Sequence, residues 1–190
     1  FIDKKIKKKI IIGTVANVNP IKDIKLFVEA AKKLSFFSEK VIFIVVGRVY
    51  KSQKKYFKNL NSLIKRFFIT NFYFLNARED TRSLLKNMDI YVCTSKNESS
   101  PLSVWEAMSM EKAIISTNVG DVGKFIKNKV NGFIINVGRT DELTESIKKL
   151  IKQPKLRKKF GKISRQIAKN KLNLKNCSNL HAAAYKDIAS

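Results

Sequence analysis

Histidine, cysteine, proline and acidic residues are all scarce in this 190-residue chain: one His, two Cys, three Pro and 15 Asp plus Glu. With His181 as the lone histidine, a Ser-His-Asp triad or a His-based metal site has almost nothing to use. Cys93 sits in an apolar stretch (DIYVCT) and Cys177 far downstream, with no CxxC pair. A buried free thiol in a reducing cytosol is the expectation. No Asp-x-Asp occurs, which argues against a site that grips a diphosphate through a divalent metal, and no GxGxxG occurs, so a dinucleotide fingerprint has no support. We expect neither a metal nor a cofactor. Apolar runs such as Val41–Val46 are far below the ~20 residues of a membrane-spanning helix, and the lysine-rich opening Phe1–Lys9 has no apolar stretch of the kind a signal peptide needs. The chain starts at Phe1 rather than Met, and is expected to be part of a longer protein or a trimmed one.

What is plentiful is positive charge. Lys+Arg 39 against Asp+Glu 15 gives +24, which invites a nucleic-acid reading. The composition points elsewhere. Lys (32), Ile (22) and Asn (16) are enriched together, as codon bias in an A/T-rich genome produces, whereas Arg, best suited to bidentate phosphate and guanine contacts, occurs only 7 times. The lysines read as scattered over presumed helix faces rather than gathered in one stripe. No nucleic-acid partner is expected. Peripheral contact with an anionic membrane surface, which needs only diffuse charge, is the better expectation.

Apolar runs alternate with helical-period segments from end to end. Strands are predicted at Ile10–Ala16, Val41–Val46, Asn71–Leu75, Asp89–Cys93, Ala113–Ser116 and Gly132–Asn136. Helices are predicted at Asp23–Phe36, Lys54–Phe68, Asp80–Asn87, Leu102–Met110 and Asp141–Lys152, with further helices towards Ser190. Ile24, Phe27, Val28, Ala31 and Leu34 share one face of the first helix; Phe57, Leu60, Ile64 and Phe67 share one of the second. The pattern predicts an α/β, Rossmann-like parallel sheet of about six strands with helices on both faces. Residues 1–9 read as a basic connector and 10–190 as one domain. In such sheets ligands bind beyond the carboxyl ends of the strands, and two of those loops carry distinctive chemistry.

The first runs Gly13-Thr14-Val15-Ala16-Asn17-Val18-Asn19-Pro20-Ile21-Lys22-Asp23. Asn19-Pro20 signals a turn, and Asp23 can cap the following helix. Lys22 then stands beside a helix N-terminus, where free N–H groups already favour an anion, although by itself it is one more surface lysine. The second runs from Ser95 to Met108. Pro101 suits the first helical position, with Ser100 as its N-cap, so the N–H groups of Leu102 and Ser103 should face the cleft. Glu98 stays in the loop, and Glu106 lies five residues past Pro101, roughly 7 Å up the axis. That spacing suits a sugar-nucleotide diphosphate, with one carboxylate near the phosphates and ribose hydroxyls donating to Glu106. It is also compatible with a capping carboxylate at Glu98 and a solvated Glu106.

Glu98 and Glu106 with seven residues between them, inside NESSPLSVWEAMSMEKAIISTNVGD, resemble the signature of family 4 glycosyltransferases. GTVANVNPIKD, NKVNGFIINVG and DELTESIKKLIKQPKLRKKFG follow the family's order and spacing. The resemblance covers roughly Ile10 to Gly161 and is to the C-terminal, donor-binding half of a two-domain GT-B enzyme. It implies a retaining transferase that uses a UDP- or GDP-linked sugar without a metal ion, in the synthesis of a surface polysaccharide, lipopolysaccharide or glycolipid. It also implies a cytoplasmic protein, with the inner face of the membrane as a place of peripheral contact. By the same resemblance Lys22 matches the diphosphate-binding lysine, Glu98 the glutamate near the donor sugar and its phosphates, and Glu106 the one that holds the ribose. Leu102 and Ser103 match the positions whose backbone amides meet the diphosphate. Lys22 and Glu98 would be the catalytic pair, in a front-face substitution where the leaving phosphate helps deprotonate the acceptor. The acceptor would be held mainly by an N-terminal domain that nothing before Ile10 supplies, so the chain alone should bind donor weakly and transfer little.

The chain also departs from that pattern. Asn17 stands where the family usually has arginine, and a neutral amide supplies no charge; Arg48, Lys25 or a residue of the absent domain are candidates to compensate. Asp121 and Lys124 lie in Gly120-Asp121-Val122-Gly123-Lys124, where the family commonly has a second glycine and a glutamate, and Ser99 and Ser100 replace a glycine-rich loop. These departures favour binding over full activity and leave a non-catalytic nucleotide-sugar-binding module as one alternative; the +24 charge alone motivates another, a basic nucleic-acid-binding α/β protein.

Overall fold

The computed structural model describes residues 9–173 and, beyond them, positions 175, 176, 178, 182 and 185. Cys177, His181 and all of the basic leader except Lys9 therefore lie outside the described residues. Six strands form one parallel sheet: β1 (Ile10–Val15), β2 (Val41–Val46), β3 (Phe72–Leu75), β4 (Ile90–Cys93), β5 (Ala113–Thr117) and β6 (Gly132–Ile135). Their order across the sheet is β3-β2-β1-β4-β5-β6. The strands are short apolar runs because helices cover both faces of the sheet, although at the edge strand β3 Tyr73 is exposed. The fold is the Rossmann-like α/β arrangement that the alternation of patterns predicts.

The helices are α1 (Ile24–Lys33), α2 (Lys54–Arg66), α3 (Thr81–Asn87), α4 (Leu102–Ser109), α5 (Val122–Phe125), α6 (Thr140–Lys152) and α7 (Pro154–Lys171). On one side of the sheet, α1, α2 and α6 bury Phe27, Leu34, Leu60, Ile147 and Leu150. Phe27 meets Phe43 and Phe72 edge-on, with centroids 5.5 and 5.4 Å apart. On the other side Leu85, Val104, Trp105, Met108 and Val122 pack under α3, α4 and α5. Each fully buried side chain of this size contributes about 1.5–3 kcal/mol relative to exposure.

Two helix starts differ from the sequence-based expectation. Pro20–Lys22 forms a single 3-10 turn capped by Asn19, whose Oδ1 accepts from Ile21 N and Lys22 N. Asp23, the expected cap of α1, instead has φ 45° and makes no capping bond, because the turn before it has already fixed the chain's entry. At α4, Pro101 is itself the cap residue and Leu102 the first helical one; the Ser100 hydroxyl accepts from Trp105 Nε1 at 3.0 Å rather than capping the helix. The short helix α5 had no periodic signal to find. The lysines are also less scattered than they read: Lys155, Lys158, Lys159, Lys162 and Lys169 are all exposed on α7, and their spacings of three, four and seven place them along one face.

The sheet opens where its order reverses. β1 pairs with β2 along all six of its residues, but with β4 only at Ile12–Ile90 and Gly13–Tyr91. Past that point the buried Tyr91 hydroxyl stands in for the missing ladder, accepting from Val15 N at 3.4 Å and donating to Val15 O at 3.3 Å. The divergence of β1 from β4 marks the crevice where this fold class places ligands.

Candidate functional site

A cavity of about 400 Å³ lies in that crevice, lined by the ends of β1 and β2, the β3–α3 connection, the β4–α4 loop and the start of α4. Two backbone approaches shape it. A Cβ on Gly47 would stand 2.0 Å from Ala16 O, so only glycine lets the loops after β1 and β2 close together. Gly120 has φ 48°, and a Cβ there would meet Ser99 O at 2.0 Å. The Asp121 N–H donates to that same Ser99 oxygen at 3.0 Å, tying the β5–α5 loop to the β4–α4 loop.

The β4–α4 loop is bound to the 3-10 turn as well. Lys96 N–H donates to Ile21 O at 2.7 Å, and the Thr94 hydroxyl donates to Lys22 O at 2.8 Å. These two ties carry Lys22 and Glu98, 76 positions apart in sequence, into a direct ion pair between Nζ and Oε1. The side chains are 27% and 16% exposed, so the pair is partly withdrawn from water and open on its cavity side. The Ser95 hydroxyl also donates to Glu98 Oε1, at 2.7 Å, and is followed inward by the buried Cys93, whose Sγ is 3.6 Å from Ser95 Oγ. Thr117 Oγ1 donates to Ser95 O at 2.7 Å. Glu98 is thus oriented by two donors, while the Lys22 ammonium has three N–H groups and spends one on the carboxylate.

Opposite these charges is the open end of α4. Val104 N–H and Trp105 N–H both reach Pro101 O, at 2.9 and 3.4 Å. Leu102 N–H and Ser103 N–H come before any intrahelical bond, have no partner among the described residues, and belong to residues that line the cavity. Asn17 lines it too, with its Oδ1 accepting from Arg48 N at 3.1 Å. Five of the six expected site residues, Asn17, Lys22, Glu98, Leu102 and Ser103, therefore share one cavity. Glu106 does not line it: this residue is exposed on α4, three positions beyond Ser103.

The two cations expected to compensate for Asn17 lie elsewhere. Arg48 sits over the Tyr50 ring, 5.7 Å from its centroid, and Lys25 is 3.6 Å from Glu29. Arg78 lines the cavity instead. Sequence reasoning passed over it: Arg78 lies three residues past the end of β3, and only the convergence of the loops brings it to the cavity. Among the described residues no group of three or more His, Cys, Asp or Glu side chains is placed to hold a metal. No helix there is long and apolar enough to cross a membrane.

The family described as glycosyl transferases group 1 matches residues 1–167, and the chain belongs to that family. Over 164 residues it is 32% identical to the N,N'-diacetylbacillosaminyl-diphospho-undecaprenol alpha-1,3-N-acetylgalactosaminyltransferase of Campylobacter jejuni, covering 86% of this chain and 41% of that protein. It is 27% identical over 137 residues, 70% of this chain and 34% of that protein, to the UDP-Gal:alpha-D-GlcNAc-diphosphoundecaprenol alpha-1,3-galactosyltransferase of Escherichia coli. Among solved structures, Anabaena HepE in complex with UDP-glucose superimposes with a TM-score of 0.87 at 22% identity, over 94% of this chain and 49% of that one. The separate C-terminal domain of a Francisella tularensis group 1 glycosyl transferase matches with a TM-score of 0.83 at 22% identity, over 90% and 94%. These structural likenesses show the fold. The chain spans less than half the length of the curated relatives it matches.

Proposed function

We propose that this chain is the donor-binding part of a glycosyltransferase that moves a sugar from a UDP- or GDP-linked donor to an acceptor in cell-surface polysaccharide, lipopolysaccharide or glycolipid synthesis. The single observation that carries the reading is the Lys22–Glu98 pair at the cavity beside the unpaired N–H groups of Leu102 and Ser103. An anionic diphosphate would meet the free N–H groups of the Lys22 ammonium on one side and the helix start on the other. As the bond between sugar and phosphate breaks, negative charge grows on the leaving diphosphate, and these donors stabilise it where it forms. Removal of one such donor costs on the order of 10²–10³ in rate. Glu98, held by Ser95 and Lys22, would face the donor sugar. Glu106, one turn along α4, would accept from the ribose hydroxyls of a ligand that extends out of the cavity. Transfer with retention and without a metal follows from the family resemblance. The acceptor would be brought by a second domain, and work at the inner face of the membrane fits the lipid-linked diphosphates named for two relatives.

Calorimetric titration of the chain with UDP, GDP and a short DNA duplex across a salt series tests the binding half. Heat with a nucleotide diphosphate, weakened about tenfold or more by Lys22→Ala and by Glu106→Ala but untouched by Lys152→Ala, is the expected result. Duplex binding that collapses with salt, with no nucleotide heat, would overturn it. The neutral Asn17 supports a second reading, a binding module without turnover. Full-length protein that binds nucleotide sugar yet neither transfers nor hydrolyses it would favour that module.

A further inference from the structure

The charge balance of the cavity leaves one residue unaccounted for. Its ionisable lining side chains are Lys22, Glu98 and Arg78. Lys22 and Glu98 neutralise each other in their ion pair, and the Asn17 amide adds no charge. A nucleoside diphosphate carries at least two negative charges, so the pair and the two helix amides alone would hold it in a site of net zero charge. The remaining cation, Arg78, joins no ion pair and donates no hydrogen bond among the described residues. Of the acidic residues beside it, Asp80 is occupied by Ser83, whose N–H and hydroxyl both donate to its carboxylate, and the exposed Glu79 forms no ion pair with Arg78 among the described residues.

Position makes Arg78 able to serve. It follows β3, and β3 is separated from β1 by β2 alone, which places the two strand ends about 10 Å apart at the usual spacing of parallel strands. An extended arginine covers much of that distance, and its planar fork suits two oxygens of neighbouring phosphates. From these facts we infer that Arg78 is a ligand-touching residue that grips the diphosphate across the cavity from Lys22 and gives the site its net positive charge. The assignment rests on the nucleotide-binding reading above and adds to it which side chain supplies the second cation and which part of the ligand it reads.

The test is titration of the wild-type chain and of Arg78→Gln and Arg78→Lys with UDP, GDP, UMP and GMP at two ionic strengths. The expected result is a loss of about tenfold or more for the better-bound diphosphate in Arg78→Gln, the size of one charge-assisted contact. The matching monophosphate should lose less than about threefold. The salt dependence of diphosphate binding should flatten, and Arg78→Lys should recover part of the loss. Equal losses for mono- and diphosphate would place Arg78 on the nucleoside and overturn the assignment, as would no loss at all. A wild-type chain that binds none of the four would instead overturn the nucleotide-binding reading and this inference with it. Arg78 is exposed on a connection, so unchanged thermal unfolding of the variants separates a lost contact from a lost fold.

Discussion

Replacing Tyr91 with phenylalanine removes one oxygen atom and asks whether that atom holds the cleft open. The side chain is 1% exposed, and burial, chiefly by desolvating the phenolate, pushes its pKa well above the ordinary tyrosine value. The hydroxyl therefore keeps its proton and can donate to Val15 O while accepting from Val15 N. Phenylalanine keeps the ring and its packing, so the change removes these two bonds together with the hydroxyl's approach to the Thr14 and Ser103 side chains. A buried backbone group left without a partner costs about 1–3 kcal/mol. Both contacts are long, which puts the combined loss at the low end, about 2 kcal/mol. For a domain of this size that lowers the thermal midpoint by roughly 4–8 °C. Urea unfolding followed by circular dichroism, alongside nucleotide titration, reads both consequences. The chain can relax in one other way: β1 and β4 could zip further together, recovering the bonds and narrowing the cavity. Stability would then hold while nucleotide affinity fell. A variant with wild-type stability and wild-type affinity would refute the claim that Tyr91 replaces the missing ladder.

Gly120→Ala and Gly138→Ala should differ sharply, because both residues have positive φ (48° and 75°) but only Gly120 faces a 2.0 Å approach to Ser99 O; Gly138→Ala should cost about 1 kcal/mol, the ordinary left-handed penalty, with Gly120→Ala well beyond it in chemical denaturation, and equal costs would refute the close-approach reading. Burial raises the pKa of Asp23 more than Lys96, 3.9 Å away, lowers it. The native state therefore holds this proton more tightly than the unfolded chain, and stability falls as pH rises from the unfolded to the folded pKa, then levels off. Asp23→Asn, whose side chain tolerates the left-handed φ, should remove that slope and make the domain more stable at pH 7; an unchanged slope in urea unfolding between pH 3 and pH 7 would count against it.

How much of the molecule is legible in its sequence depends on how far apart the determining residues stand. Val41–Val46 is a strand with the expected bounds, and all five side chains expected on the first helix's apolar face are buried, four on α1 and Leu34 at its C-cap, because burial on both sides of a parallel sheet and helical periodicity are local signals. Helix starts are less legible, since the dihedrals of single residues decide them. Asp23 looks like a cap until the Asn19-capped turn before it is known, and Ser100 looks like one until the Trp105 indole, which owes its place to core packing, claims the hydroxyl. The Lys22–Glu98 pair depends on ties between distant loops, which spacing alone cannot supply; the family resemblance marked both residues, and the backbone bonds explain how they meet. Tyr91 and Arg78 show the limit from opposite sides. One reads as an ordinary core aromatic, because its hydroxyl has a purpose only once β1 and β4 separate. The other reads as a loop cation, because its meaning lies in a charge balance that appears only when three connections converge. Residues of that kind are set by how the strand ends and loops come together around the crevice rather than by any local pattern.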